Sequence, residues 1–95
     1  MSTYLGQNFL HDSKVQQYIA DKIEKLCKNN DANAIIEIGP GKGAITKRIK
    51  DIVAHFWVIE KDTTMESHLT SLLAKEQMIF VDVLEAKPEV LLADK

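Results

Sequence analysis

The sequence predicts an α/β fold built on a small parallel sheet, and three observations predict it. Short apolar runs alternate with longer segments whose apolar residues recur every three or four positions. A glycine-rich turn, Gly39-Pro40-Gly41-Lys42-Gly43, falls between the first such run and the helical segment that follows it. Two acids, Glu60 and Asp82, close the next two runs. Parallel strands present their carboxyl ends on one side, so the turn and both acids are expected along one rim of the sheet.

Taken in order, the first helix is signalled by Ser13 with Gln16 three residues later, a capping-box pattern, and by Val15, Ile19, Ile23 and Leu26 as its apolar stripe. Asn29-Asn30-Asp31 breaks that pattern, and Ala34-Ile35-Ile36-Glu37-Ile38 then reads as a buried parallel strand. Beyond Gly43, the residues Ile45, Ile49, Ile52 and Val53 return to helical spacing, with Lys42, Lys47, Arg48 and Lys50 mostly on the exposed side. Phe56-Trp57-Val58-Ile59 is the second strand. Met65, Leu69, Leu72 and Leu73 mark the next helix, for which Thr63 or Thr64 is the expected cap. Met78-Ile79-Phe80-Val81, ending at Asp82, is the third strand.

The resulting βαβαβ core spans residues 34–82, and its crossovers are expected to be right-handed. The stretch from Val83 to Lys95 holds Pro88 and a short Val90-Leu91-Leu92 group, which complete no further strand-helix unit. The chain is read as one domain over residues 1–95, stopping before a fourth strand.

Composition bounds the function classes. The chain has 95 residues and a formal net charge of −2, which neither requires nor forbids a nucleic-acid partner. The charge is unevenly spread: residues 1–50 carry eight Lys/Arg against five Asp/Glu, and residues 51–95 carry four against nine. A polyanion is therefore expected to prefer the first half. A domain of this size buries only about 60–65% of the surface of its unfolded chain, so its core is thin and any unpaired sheet edge matters.

The single cysteine, Cys27, forms no internal disulfide and is expected to pack as a small hydrophobe. No apolar run approaches the roughly 20 residues of a bilayer span, and the start, Met1-Ser2-Thr3-Tyr4, lacks a secretory pattern. The expectation is a cytoplasmic protein with no membrane partner. His11, His55 and His68 share no metal-ligand spacing, so no metal is expected.

The glycine turn carries the chemistry. Glycines there permit close backbone approach, and the amides opening the next helix are expected to face a polar, nucleotide-like ligand. A Walker-type phosphate loop is excluded, because Ile36 and Gly43 stand where it needs a glycine and a Ser/Thr. A nicotinamide fingerprint survives in its looser form through Gly39, Gly41 and Ala44. Glu60, 21 residues after Gly39, is placed to accept ribose hydroxyls in either a dinucleotide or an adenosyl cofactor. Asp82 is a candidate for an adenine amino group and Asp62 a weaker candidate for ligand contact. Glu37 is expected to order the loop or touch ligand rather than transfer protons. Acids beside the pocket suit a sulfonium centre better than a pyrophosphate.

Two segments carry a resemblance. Gly6-Gln7-Asn8-Phe9-Leu10, followed by Glu37-Ile38-Gly39-Pro40-Gly41-Lys42-Gly43-Ala44-Ile45-Thr46, resembles the start of the ribosomal RNA small-subunit adenine N6,N6-dimethyltransferase family. The resemblance implies a Rossmann-like methyltransferase half-domain, three-layer αβα, with parallel strands in partial order 3-2-1. It implies S-adenosylmethionine as cofactor and methyl transfer to N6 of two adjacent adenosines. It implies small-subunit rRNA or its pre-ribosomal particle as partner of the full-length enzyme, and thus a role in ribosome biogenesis. Residues 1–12 become a cofactor-proximal segment. Asn8 and Leu10 would border the methionine part, Gly39 the methionine and ribose region, Glu60 the ribose and Asp82 the adenine. Gly41 and Gly43 would shape the loop, and Val83 would pack near the adenine ring. The family's usual basic residues before the first segment are replaced here by Ser2-Thr3-Tyr4-Leu5.

The family's catalytic Asn-x-Pro-Tyr-like motif, which holds and stacks on the target adenine, does not occur in these 95 residues. Pro88 stands between Ala86-Lys87 and Glu89-Val90 and does not fill that role. No catalytic residue is assigned, and the chain alone is expected to be inactive. Two other readings stay open: a fragment binding NAD, and a nonenzymatic RNA-binding or assembly module using Lys42, Lys47, Arg48 and Lys50. The unpaired side of the first strand is also expected to support self-association.

Overall fold

The computed structural model describes residues 11–85. The candidate residues Asn8 and Leu10, most of the 1–12 segment and the end of the chain lie outside the described residues. The elements run α1 (Ser13–Asn29), β1 (Ala34–Ile38), α2 (Thr46–Ile49), β2 (His55–Glu60), α3 (Glu66–Leu69) and β3 (Met78–Phe80), with single 3-10 turns at Thr63–Met65 and Lys75–Gln77.

The three strands form one parallel sheet in the order β1-β2-β3, with Ile35 opposite Phe56, Glu37 opposite Val58, and Glu60 opposite Phe80. This is the α/β arrangement that the sequence predicts, a small parallel sheet with flanking helices and a 3-2-1 strand order. The core forms where residues from all three helices, Ala20, Ile49 and Leu69, meet Phe56 and Val58 on one face of β2. Leu73 completes it, and Ile23, Ile35, Ile45 and Met78 pack around it. Phe56, only 3% exposed, is a core residue.

Several boundaries differ from the sequence reading, each for a physical reason. Asp12, not Ser13, caps α1: its extended backbone lets Oδ1 accept the Lys14 N–H at 2.8 Å. The buried face of α1 is centred on Gln16 and Ala20, so Leu26 is left 62% exposed and Cys27 only half-buried. A small Ala at the contact lets the helix approach more closely than a stripe of branched residues would. The segment after the glycine turn is regular helix only over Thr46–Ile49. Asp62, rather than either threonine, caps the next turn, accepting from the N–H and the hydroxyl of Thr64.

The edge strand β1 is less buried than its apolar sequence suggests, because it pairs only with β2 among the described residues. Ile36 and Ile38 are 44% and 61% exposed. Among the described residues no helix is long and apolar enough to cross a membrane.

Candidate functional site

The carboxyl ends of the three strands border a cleft of about 230 Å³, lined among others by Gly39, Ile59, Glu60, Asp82 and Val83. Three of the sequence-derived candidates, Gly39, Glu60 and Asp82, thus come together in one concavity, as the parallel topology requires. Gly41 does not line it, but reaches it through a hydrogen bond. Lys61 is the cation of the rim, beside the two carboxylates.

Gly39 leaves β1 in the left-handed region, at φ 71°, and donates its N–H to Ile59 O at 2.8 Å. A side chain at Gly39 or at Gly41 would meet no atom within 4 Å, so open space lies over the turn. The amides of Gly39, Gly41 and Gly43 are committed inside the protein. Gly41 N–H donates to Glu60 Oε1 at 3.0 Å, and Gly43 N–H donates to Pro40 O at 3.0 Å. These bonds engage the glycine amides of the turn and not the amides that open the next helix, whose regular part begins only at Thr46.

Glu60 is buried, at 8% exposed, and bonded through both oxygens: Oε1 accepts from Gly41 and Oε2 accepts from Asp62 N–H at 2.9 Å. A buried carboxylate needs such donors, and two backbone amides supply them without a counter-ion. Each oxygen keeps acceptor capacity for a further donor from the cleft. Asp82 Oδ1 accepts from Leu84 N–H at 3.0 Å, which turns the chain along the cleft wall. Asp62 is exposed and acts as a cap; the Thr64 hydroxyl first, and then the Thr64 amide, hold its carboxyl below the ordinary value.

Beneath the turn lies a pair that the sequence reading only partly anticipates. Thr46, fully buried, donates its hydroxyl to Glu37 Oε1 at 2.6 Å. Burial raises the Glu37 carboxyl above its ordinary value, and the Thr46 hydroxyl partly opposes that rise. Glu37 therefore orders the loop, spanning it from β1 to α2. Sequence reasoning misses Thr46 as a site residue; its signal is a hydroxyl nine residues past an acid, at the start of a helix that begins late. Among the described residues no three His, Cys, Asp or Glu side chains cluster as metal ligands do.

A family model described as ribosomal RNA adenine dimethylase matches residues 1–92. Among curated proteins, the chain is 36% identical over 83 residues to the ribosomal RNA small subunit methyltransferase A of Opitutus terrae, covering 87% of this chain and 28% of that protein. The protein of the same name from Mycoplasmoides gallisepticum is 33% identical, over 84% of this chain and 29% of its own length. That from Chlorobium phaeobacteroides is 42% identical, over 68% and 23%. The chain thus spans under a third of the length of these relatives. No solved structure matches it.

Proposed function

The chain belongs to the ribosomal RNA adenine dimethylase family, and from that premise we propose that its cleft is the adenosyl-cofactor site of an rRNA adenine N6,N6-dimethyltransferase. The cofactor of this reading is S-adenosylmethionine. For the whole protein, the substrate is small-subunit rRNA or its pre-ribosomal particle, and the methyl groups go to N6 of two adjacent adenosines.

The observation that carries the reading is the convergence of Gly39, Glu60 and Asp82 on one cleft at the carboxyl ends of the strands. The residues fit the group. Gly39 leaves space for a ligand to lie against the backbone. Glu60, already fixed by two amides, is oriented to accept ribose hydroxyls. Asp82 is the acceptor for the adenine amino group, and Val83 packs beside the ring. Asn8 and Leu10 are assigned to the methionine end by their motif alone. When bound, the cofactor supplies an electrophilic methyl group on its sulfonium sulfur.

Two observations favour an adenosyl cofactor over NAD. The amides of Gly39, Gly41 and Gly43, in the turn that a pyrophosphate would lie against, are engaged inside the protein. Two carboxylates also border the cleft, against one lysine. Because no Asn-x-Pro-Tyr-like motif occurs in these 95 residues, no catalytic residue is assigned, and the isolated chain binds cofactor weakly and transfers no methyl groups.

Calorimetry of the chain with S-adenosylhomocysteine and with NAD tests the cofactor. Binding of the first alone is expected, with Glu60→Ala weakening it about tenfold or more, since a hydrogen bond to a charged group contributes roughly 1.5–3 kcal/mol. Binding of NAD alone overturns the assignment, and turnover on unmodified small-subunit RNA overturns the predicted inactivity. The edge of β1 that is unpaired among the described residues, with Ile36 and Ile38 exposed, supports a further reading in which copies of the chain associate through that strand.

A further inference from the structure

A second concavity lies on the other side of the glycine turn, between it and α3, with a volume of about 470 Å³. Its polar lining is Lys42, Lys47, Ser67, His68 and Ser71, and no carboxylate contributes to it. In a chain of net charge −2 that is a pronounced local excess of positive charge. The contrast with the first cleft, bordered by Glu60 and Asp82, is direct.

The four basic residues near the turn are not equivalent. Arg48 donates to Gln17 Oε1 at 2.5 Å, and Lys50 pairs with Asp51 at 3.0 Å. The ammonium groups of Lys42 and Lys47 have no partner among the described residues, and both residues are exposed. Ser71 Oγ donates to His68 O at 3.2 Å, which leaves Ser67 and the His68 ring as the hydroxyl and N–H donors of the wall. Two unpaired cations beside neutral donors, in a groove without acids, match a phosphate group and its ester oxygens.

We propose that this groove binds the phosphodiester backbone of RNA, independently of the cofactor cleft, with Lys42 and Lys47 against phosphates and Ser67 and His68 donating to their oxygens. The identity of the polyanion rests on the rRNA-directed reading above; the location rests on the groove. Such contacts position RNA without reading its sequence. The separation of charge between the two concavities keeps the backbone off the acidic cleft and leaves that cleft open to a cofactor.

Anisotropy of a labelled small-subunit rRNA hairpin, titrated with the 95-residue chain, tests this. Lys47→Glu is expected to weaken binding about tenfold and to lower the slope of log K against log salt by roughly 0.7–0.9 for each phosphate that is no longer neutralised. Lys22→Glu, the same charge change on exposed α1, is the control; equal losses for the two variants overturn the proposal, as does no RNA binding at low salt. His68→Ala, an exposed position, is expected to weaken binding two- to threefold and guards against a folding defect in the first variant. Amide NMR separates this proposal from the cofactor reading. RNA shifting Lys47, Ser67, His68 and Ser71 supports the groove even where S-adenosylhomocysteine fails to bind. S-adenosylhomocysteine shifting Gly39, Glu60 and Asp82, while RNA leaves the groove amides unmoved, overturns the groove and leaves the cofactor cleft standing.

Discussion

Thr46 and Glu37 illustrate how a single hydroxyl can moderate the penalty of a buried acid. Burial raises the Glu37 carboxyl, so the folded chain holds that proton more tightly than the unfolded chain does. Its contribution to stability is therefore fully present below the unfolded value and is lost as pH rises through the raised folded value. Thr46 limits the loss by bonding the charged form. Thr46→Val is expected to destabilise the fold by about 1–3 kcal/mol near neutral pH, the cost of leaving a buried acceptor unpaired, and by less near pH 4. Urea midpoints of both proteins at the two pH values check this, and an unchanged gap would exclude the coupling. At this scale the candidate acids were legible in the sequence, because Glu37, Glu60 and Asp82 sit inside or at the ends of apolar runs. Their partners were not: Gly41 and Asp62 serve Glu60 through backbone amides, which every residue but proline carries and no side chain advertises.

Among the elements, the glycine turn is where geometry is least forgiving. Gly43 sits at φ 91°, and an added Cβ would lie 2.6 Å from Leu72 Cδ1 and 3.3 Å from Leu69 Cδ2. Gly41 shares a positive φ, 58°, but faces open space. Gly43→Ala is thus expected to combine backbone strain with crowding, at about 2–4 kcal/mol, whereas Gly41→Ala carries only strain, at about 1–2 kcal/mol. Chemical denaturation of both variants gives the ranking, and a Gly41 variant as damaged as the Gly43 one would contradict it. The order of elements followed from hydrophobic period and turn chemistry, which act locally. Their ends depended on competition between neighbours. Asp12 and Ser13 are both good caps, and Asp12 prevails because its backbone is extended where the helix starts. The stripe Val15, Ile19, Ile23 and Leu26 reveals a helix, but which side of it turns inward depends on how Ala20 seats it against α2 and the core.

For the molecule as a whole, β1 is the exposed flank of the sheet. Its backbone pairs on one side only among the described residues, and Ile36 and Ile38 add apolar surface beside that unpaired edge. Light scattering is expected to show a mass that rises with concentration, and Ile38→Lys, which places a charge on the strand, is expected to return the monomer at the same concentrations. A wild-type chain that stays monomeric over a wide concentration range would contradict the association. The rim that gathers Gly39, Glu60 and Asp82 was readable before any coordinates, since parallel topology alone places strand ends together, whereas the 3-2-1 order came from the family resemblance. The basic groove was not readable, because Lys42 and Lys47 face Ser67 and His68 only once the glycine turn and the start of α2 lie against α3.

The bonding of Glu60 has one more consequence. Its two oxygens tie the glycine turn after β1 to the turn after β2, so one side chain staples two loops, with Gly41 and Glu60 19 residues apart in the chain. Neither loop can swing away without stripping a buried carboxylate of half its donors. The rim of the cleft therefore breathes as one piece, and whatever settles onto Glu60 tightens both loops together.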